Sequence, residues 1–378
     1  MSRKETIKIL ITGSEGFVGR NLRACLKQNQ EFQIYNIDIH NTEIDLVDSL
    51  NQADLIYHLA GVNRPKKDNE FWEGNVEFTQ QICEYLIQNH LNPKIVFSSS
   101  IQAELDNPYG KSKKAAEQVI KKYVEKTGAD CVVYRLKNLF GKWCRPNYNA
   151  VTATFCYNIT HHLPVQISDP DHTIDLTYID DVTSAFENEI TKIKSGFSFA
   201  PELPFHSISL GSLAEKIKSY HNIKSSLMIP DLSIDFERMM YATYLSYLDD
   251  NQFGYRLQIR SDDRGNLAEF LKSSFGGQIF ISRTKPGIKR GNHYHHTKTE
   301  KFLVLEGQAR IQFRHIEKEN IITYDVNGDD YQVLDVPPGY THSIENRGTT
   351  DLITLFWASE IFNQDKPDTY FNKVVKED

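Results

Sequence analysis

Tyr109 and Lys113 stand four residues apart, directly after Asn107-Pro108. In a helix begun at the proline, that spacing puts both side chains on one face. A phenol ordinarily titrates near about 10, and a neighbouring ammonium favours its ionised form. Ser98-Ser99-Ser100 lies just upstream and offers hydroxyls to hold a carbonyl oxygen. The set suits carbonyl reduction. Tyr109 would hand over the proton, and Lys113 would hold the ribose of a nicotinamide that delivers hydride. Tyr/Lys pairs on helices are common and mostly inert, so a second feature must add weight. Ile9-Leu10-Ile11-Thr12-Gly13-Ser14-Glu15-Gly16-Phe17-Val18-Gly19 supplies it. It reads as a buried strand that turns into a helix through three evenly spaced glycines. The first permits a tight turn, the second a close approach to pyrophosphate, the third helix–strand packing. The helix N-terminus offers free N–H groups to phosphates. Gly13, Gly16, Phe17, Val18 and Gly19 are therefore expected cofactor contacts. Asp38, at the end of the next strand, can accept hydrogen bonds from an adenosine ribose. Leu59-Ala60-Gly61 ends a third strand in small residues across which a cofactor can lie.

A second cluster lies far downstream. His293 and His295 alternate along one strand and so share a face. Glu300 reaches the same interior from the next strand, and His342 follows Pro337-Pro338-Gly339. Three imidazoles and a carboxylate suit zinc, iron, manganese, nickel or cobalt. The competing reading is a histidine-rich surface loop, which Glu300 and His342 together disfavour.

The elements that must carry these residues fall into two textures. Strands are expected at 7–12, 34–38, 54–61, 94–100 and 130–136, with helices at about 16–29, 75–89 and 109–126. That alternation predicts a parallel sheet with helices on both faces, a Rossmann-type α/β domain. Residues 140–245 are less regular. They hold a short strand and capped helix at 176–182, a helix within 205–221, and an apolar helical stripe at 239–248. Such extensions usually form the wall over a second substrate. From about 250, strands at 278–283, 301–306, 308–314, 321–325, 331–336 and 351–357 follow closely, broken by Gly, Pro and Asp. They predict an all-β barrel or sandwich. The domains are placed at 1–248 and 249–378.

A length of 378 residues accommodates two domains. The formal net charge of −7 lends no support to a nucleic-acid footprint. No apolar run is long enough to span a membrane and no secretory start is visible, so a cytoplasmic enzyme without a membrane segment is expected. The five cysteines (25, 83, 131, 144 and 156) form no CxxC pair, which argues against disulfides.

Several stretches carry a resemblance. Thr12-Gly13-Ser14-Glu15-Gly16-Phe17-Val18-Gly19, His58-Leu59-Ala60-Gly61, Asn75, Ser98-Ser99-Ser100, Tyr109-Gly110-Lys111-Ser112-Lys113 and Tyr178-Ile179-Asp180-Asp181-Val182 resemble the extended short-chain dehydrogenase/reductase family. That resemblance implies a nicotinamide cofactor and a nucleotide-sugar substrate, with Ser100 as the catalytic hydroxyl and Ser99 as its alternative. Only eight residues separate Ser100 from Tyr109, so the local substrate wall is expected to be unusual. Gly287…His293-x-His295…Glu300…Gly307 and Pro337-x-Gly339…His342…Asn346 resemble the two halves of the cupin signature, except that Tyr331 replaces a usual glycine. Asp262-Asp263-Arg264-Gly265-Asn266-Leu267-Ala268-Glu269-Phe270 is similar to cupin epimerases of 4-keto-6-deoxy sugar nucleotides.

The two domains in this order resemble the bifunctional capsule-precursor enzymes known from staphylococci. Leu59-Ala60-Gly61-Val62-Asn63-Arg64-Pro65, Asn138-Leu139-Phe140-Gly141-Lys142-Trp143-Cys144 and Lys366-Pro367-Asp368-Thr369-Tyr370-Phe371 carry it. It implies C3 epimerisation of a UDP-2-acetamido-2,6-dideoxy-4-hexulose in the cupin. Reduction at C4 with NADPH would follow, giving UDP-N-acetyl-6-deoxy-L-talosamine. It also implies a homodimer and zinc. Asp38 would repel a 2′-phosphate and so favours NADH. NADPH is nonetheless the expectation, with His40 or a basic group brought in by folding to offset the acid. Proton-transfer candidates in the cupin are His296, Tyr294, Glu269 and Arg264. The alternative is a single-activity 4-keto sugar-nucleotide reductase whose cupin only binds, stabilises or dimerises.

Overall fold

The computed structural model describes residues 6–192 and 196–376. These pack as two units. One runs to Lys218 and also holds Met239–Leu248; the other holds Ser219–Arg238 and the chain from Asp249. Residues 219–238 join the second unit through the pairing of Leu227–Ile229 with Lys272: the Ile229 N–H donates to the Lys272 carbonyl at 2.9 Å, and the Lys272 N–H to that of Leu227 at 2.8 Å.

In the first unit the order is β1 (Ile7–Thr12), α1 (Phe17–Leu26), β2 (Phe32–Ile37), α2 (Glu43–Leu50), β3 (Leu55–His58), α3 (Asn69–Trp72), a π-turn at Glu73–Glu77, and α4 (Phe78–Gln88). Then follow β4 (Lys94–Ser100), a 3₁₀ turn at Ile101–Glu104, α5 (Pro108–Thr127), β5 (Cys131–Leu136), β6 (Asn138–Phe140), α6 (Val151–Thr160), β7 (Thr173–Tyr178), α7 (Ile179–Asn188), β8 (Phe197–Phe199) and β9 (His206–Ser209). The main sheet has strand order β2-β1-β3-β4-β5-β8, parallel throughout. Its strands are apolar on both sides, as a sheet sandwiched between helices requires. Leu10, Ile56, Ile95 and Phe97 pack on one face; Ile9, Ile11, Tyr57 and Val96 pack on the other. The β1–β3–β4 order reverses direction at β1, and ligands bind beyond the carboxyl ends of strands at such a switch. A small β6-β7-β9 sheet flanks this edge.

The helix after β7 differs from expectation. Tyr178 precedes it and makes no side-chain capping bond; Asp180 and Asp181 lie inside its first turn instead. There they complement the positive end of the helix.

After α8 (Leu210–His221), α9 (Ile223–Ser226) and α10 (Asp235–Leu245), the chain becomes all-β. Met240 and Tyr244 of α10 are buried, which accounts for the apolar stripe as packing. The strands are β10 (Ile259–Asp262), β11 (Gly265–Ser273), β12 (Gly277–Thr284), β13 (Lys289–Tyr294), β14 (Glu300–Glu306), β15 (Gln308–His315), β16 (Ile321–Asn327), β17 (Val333–Val336), β18 (Tyr340–Asn346), β19 (Leu352–Ala358) and β20 (Tyr370–Phe371). They form two antiparallel sheets, β10-β11-β12-β19-β14-β17 and β16-β15-β18-β13-β20. Phe302, Val304 and Phe356 of one sheet meet Ile311, Phe313 and Ile344 of the other in a shared core. Tyr331 has φ +47°. It adopts the left-handed backbone that a glycine at this turn would take without steric cost.

Candidate functional site

The glycine turn closes against the end of β3. A Cβ on Gly13 (φ +69°) would stand 2.7 Å from the Ala60 nitrogen, and one on Gly19 would stand 2.2 Å from the Gly13 carbonyl oxygen. Only hydrogen fits at either position. Below the turn, His58 is buried between the hydroxyls of Thr12 and Thr79, each 2.8 Å from a ring nitrogen. Burial, then the Lys113 charge, pushes its pKa down to about 3, so the imidazole is neutral and structural.

These strand ends open into a cleft of about 920 Å³. Gly13, Gly16, Phe17, Val18, Gly19, Asp38, Leu59, Gly61, Ser100, Tyr109 and Lys113 all line it. Ala60 lines an adjoining pocket with Gly13, Asp38 and Leu59. Asp38 lies just beyond β2. Its carboxylate accepts from the Glu15 N–H at 2.7 Å and the Ile39 N–H at 2.9 Å, so it is fixed beside the glycine turn.

Asn107 caps α5, accepting from the Gly110 N–H at 2.8 Å, and Pro108 opens the helix. Tyr109 and Lys113 therefore sit one turn apart at its start. Lys113 is 5% exposed. Its Nζ lies 4.8 Å from the Phe97 ring centroid, and a Cβ on Gly61 would stand 3.5 Å from it. Burial pulls the Lys113 pKa down to about 8, and the Glu117 carboxylate opposes that fall. Burial raises the Tyr109 phenol, while a hydrogen bond with Ser100 pulls it back. Asn75, in the π-turn, donates to the Ser112 hydroxyl at 2.9 Å and accepts from the Val62 N–H at 2.8 Å. It thereby ties the start of α5 to the β3 loop.

The two serines separate cleanly. Ser99 donates to the buried Glu117 at 2.6 Å, and Glu117 also holds the Arg135 guanidinium at 2.7 and 2.9 Å. Ser100 faces the other way, toward Tyr109. Both serines line the cleft, but the Ser99 hydroxyl is engaged by Glu117 while that of Ser100 is turned toward Tyr109. The short Ser100–Tyr109 connection is a single 3₁₀ turn, which brings Gln102 into the cleft wall.

Sequence reasoning did not single out Arg145, Tyr148 and Asn149 as cleft residues. The chain there bends through positive φ at Trp143 (69°), Asn147 (57°) and Asn149 (73°). Asparagine tolerates this conformation, but Trp143 gives no such signal.

In the second unit, one potential ligand atom from each of His293, His295, Glu300 and His342 converges within 4.8 Å. Glu300 Oε2 lies 3.5 Å from Nε2 of both His295 and His342. Those two nitrogens are buried and lack hydrogen bonds, while the opposite ring nitrogens meet carbonyls: His295 Nδ1 that of Asp368 at 2.6 Å, His342 Nδ1 that of Tyr340 at 3.3 Å. This fixes a tautomer with the Nε2 lone pairs turned toward Glu300. Burial, then His342 and His295, lowers the His293 pKa to about 4, keeping it neutral. Neutral imidazoles and one carboxylate fit a divalent cation. Asp368 also accepts from the N–H groups of His296, Thr297 and Lys298 at 2.8 to 3.0 Å, clamping the loop after the ligand strand.

The other cupin candidates are not part of the converging set and make contacts of their own. Tyr294 stacks on Tyr370 at 5.4 Å and meets His296 at 5.3 Å. Glu269 pairs with Lys272 at 3.0 Å, and Arg264 with Asp262 through Nε at 2.9 Å.

Fold and cleft together define an NAD(P)-binding Rossmann enzyme joined to a β-rich domain whose His/Glu cluster could hold a metal. Residues 9–198 match the NAD-dependent epimerase/dehydratase family, and residues 260–370 match the polysaccharide biosynthesis C-terminal domain. The chain is 41% identical over 365 residues to UDP-2-acetamido-2,6-beta-L-arabino-hexul-4-ose reductase of Pseudomonas aeruginosa, covering 96% of this chain and 98% of that one. It superposes on capsular polysaccharide assembling protein CapF from Staphylococcus aureus with a TM-score of 0.89 and 43% identity, over 97% of this chain and 100% of that one. CapF with the inhibitor 3-isopropenyl-tropolone gives 0.85 and 38%, over the same 97% and 100%. The chain belongs to the family of these two-domain nucleotide-sugar enzymes of capsular-polysaccharide biosynthesis. No helix among the described residues is long and apolar enough to cross a membrane.

Proposed function

We propose that residues 1–248 are the reductase domain and 249–378 the cupin domain of a bifunctional enzyme. The cupin epimerises C3 of a UDP-2-acetamido-2,6-dideoxy-4-hexulose. The reductase then reduces the C4 ketone with NADPH, giving UDP-N-acetyl-6-deoxy-L-talosamine. One observation carries this reading: each unit holds its own convergent set, Ser100, Tyr109 and Lys113 in one and the His293–His295–Glu300–His342 cluster in the other.

When bound, the nicotinamide supplies the hydride. Ser100 holds the C4 oxygen and Tyr109 donates its proton to it. Lys113 binds the ribose and, as an ammonium, stabilises the phenolate left behind. Gly13, Gly16 and Gly19 admit the pyrophosphate to the N-terminus of α1, with Phe17 and Val18 beside it. Leu59, Ala60 and Gly61 underlie the cofactor, and Asp38 faces the adenosine ribose. NADPH follows the relationship to the capsule enzymes; the fixed Asp38 carboxylate favours NADH.

In the cupin the C4 ketone acidifies the C3 proton, because the carbanion formed is an enolate. His293, His295, Glu300 and His342 hold a divalent metal, taken as zinc, whose charge offsets enolate formation. A homodimer in the cytoplasm completes the proposal.

Replacing Tyr109 with Phe should abolish oxidation of reduced cofactor by the keto sugar; unchanged turnover refutes the reductase assignment. Incubation of the full-length protein with the keto sugar in D₂O, without nicotinamide, should place deuterium at C3. His293→Ala should stop that exchange. Absence of exchange in the metal-loaded wild type would instead favour a cupin that only binds or dimerises.

A further inference from the structure

Gln102 stands two residues past Ser100, in the 3₁₀ turn that leads to α5, and lines the reductase cleft. Its N–H donates to the Ser100 hydroxyl at 3.2 Å, and its carbonyl accepts from the Leu105 N–H at 2.8 Å. The start of α5 packs on the same carbonyl. A Cβ on Gly110 would stand 2.0 Å from that oxygen, so only glycine lets the helix come this close. Gln102 is thereby fixed to Ser100 on one side and, through Gly110, to the residue after Tyr109 on the other.

The side chain is oriented as well. Asn107 Oδ1 is occupied as the cap of α5, accepting from the Gly110 N–H at 2.8 Å. The Asn107 atom that faces Gln102 is therefore the Nδ2 donor, and it meets Gln102 Oε1 at 3.4 Å. That turns the Gln102 NH₂ group away from Asn107, and among the described residues no acceptor meets it. Two neutral donors held in a cleft wall suit a hydroxyl or carbonyl oxygen, whereas phosphates are taken by charged forks.

In the proposed reaction Ser100 holds the C4 oxygen, so the groups next to C4 come nearest to Gln102. On one side, C5 carries a methyl group and the ring oxygen, a poor acceptor. On the other, C3 carries a hydroxyl. We infer that Gln102 is a specificity-determining residue of the reductase, its amide NH₂ donating to the C3 hydroxyl oxygen of the 4-keto sugar. This rests on the reductase reading and extends it. A donor fixed beside Ser100 meets that oxygen in one configuration, so Gln102 also sets which C3 epimer is reduced.

The reaction run in reverse tests this without the cupin, because an alcohol at C4 does not acidify the C3 proton. The full-length protein is assayed at alkaline pH for NADP⁺ reduction by UDP-N-acetyl-6-deoxy-L-talosamine and by its 3-deoxy analogue. Wild type is compared with Gln102→Met, which keeps the length and loses the amide. In the wild type, the analogue should lose roughly 10-fold in kcat/KM, the share of one hydrogen bond. In Gln102→Met the parent alcohol should fall by the same roughly 10-fold while the analogue hardly changes, so the two substrates become equivalent. A merely structural fault lowers both substrates together and leaves their ratio in place; that result overturns the inference. So does a wild type indifferent to the C3 hydroxyl, a comparison that needs no variant. If the wild type oxidises neither alcohol with NADP⁺ or NAD⁺, the reductase reading itself fails and the role of Gln102 falls with it.

Discussion

Glu117→Gln should cost both stability and activity at alkaline pH, through different partners. Glu117 is 1% exposed. It accepts from Ser99 at 2.6 Å and from Arg135 at 2.9 and 2.7 Å. Glutamine keeps the shape and can still accept from Ser99, but its amide N–H₂ confronts the Arg135 Nη2. Arg135 keeps its Nε bond to the oxygen it shares with Ser99 and the exposed Glu104 at 2.7 Å, and loses the Nη2 bond and the buried countercharge. Breaking a buried pair costs about 3–5 kcal/mol. Arg135 is 26% exposed, so about 2–3 kcal/mol is the expected loss here. That lowers the melting temperature by roughly 5–10 °C for a unit of this size. The second effect concerns Lys113, one turn earlier on α5. Burial holds its pKa at about 8, and Glu117 is the charge that opposes a further fall. Without that carboxylate the Lys113 pKa falls further. The active form carries the ammonium, so the alkaline limb of kcat/KM moves to lower pH. The loss should be several-fold just below about pH 8, where the native ammonium is still mostly protonated, and small at about pH 6. A pH–rate profile of reduced-cofactor oxidation, measured below the variant's melting point, reads this directly. An alkaline limb that stays in place while the melting point falls would confine Glu117 to a structural role. An unchanged limb and an unchanged melting point together refute the whole account.

Asp38→Asn removes one fixed charge beside the expected 2′-phosphate position. The ratio of kcat/KM for NADPH over NADH should rise on the order of tenfold, and a ratio that does not move places Asp38 away from the ribose. Ser100→Ala should lower kcat about 100-fold, as removal of an oxyanion donor does. Ser99→Ala should leave kcat within a few-fold and cost about 1–2 kcal/mol in denaturant unfolding, because Glu117 loses a donor. Reversal of those two outcomes would exchange the roles of the serines. Asp368→Ala unclamps the loop behind His295, and competition with a chelator should show metal held about 10- to 100-fold more weakly; unchanged affinity would mean the loop holds its shape without that carboxylate.

Much of the first site could be read from local rules. The glycine spacing, the apolar strand before it, and a tyrosine and lysine one helical turn apart each follow from short-range geometry. What could not be read is which serine hydroxyl is already engaged. Ser99 and Ser100 are chemically identical neighbours that both line the cleft, and the partner that holds the Ser99 hydroxyl is Glu117, eighteen residues on. The same holds for Arg145, Tyr148 and Asn149, which reach the cleft because the backbone bends through left-handed conformations at Trp143 and its neighbours. No side chain at 143 announces that bend.

The cupin shows where strand alternation misleads. His293 and His295 obey it, and Glu300 follows from the next strand. Applied upstream, the same rule puts Lys289 and Gly291 with His293 and turns Arg290 outward. The strand does not keep the rule. The register with β18 slips between Gly291 and His293, where Asn292 is the extra residue with φ +59° and Gly291 has φ +92°. A bulge of this kind adds one residue and re-aims the side chains on either side of it. Arg290 and His293, an odd number of residues apart, thereby come to the same interior. Without the bulge, alternation would turn the Arg290 guanidinium to the opposite face and leave His293 on the barrel side. Beyond the bulge, β13 pairs with β20 from His293 onward, His293 with Phe371 and Tyr294 with Tyr370, which ties that half of the strand in place.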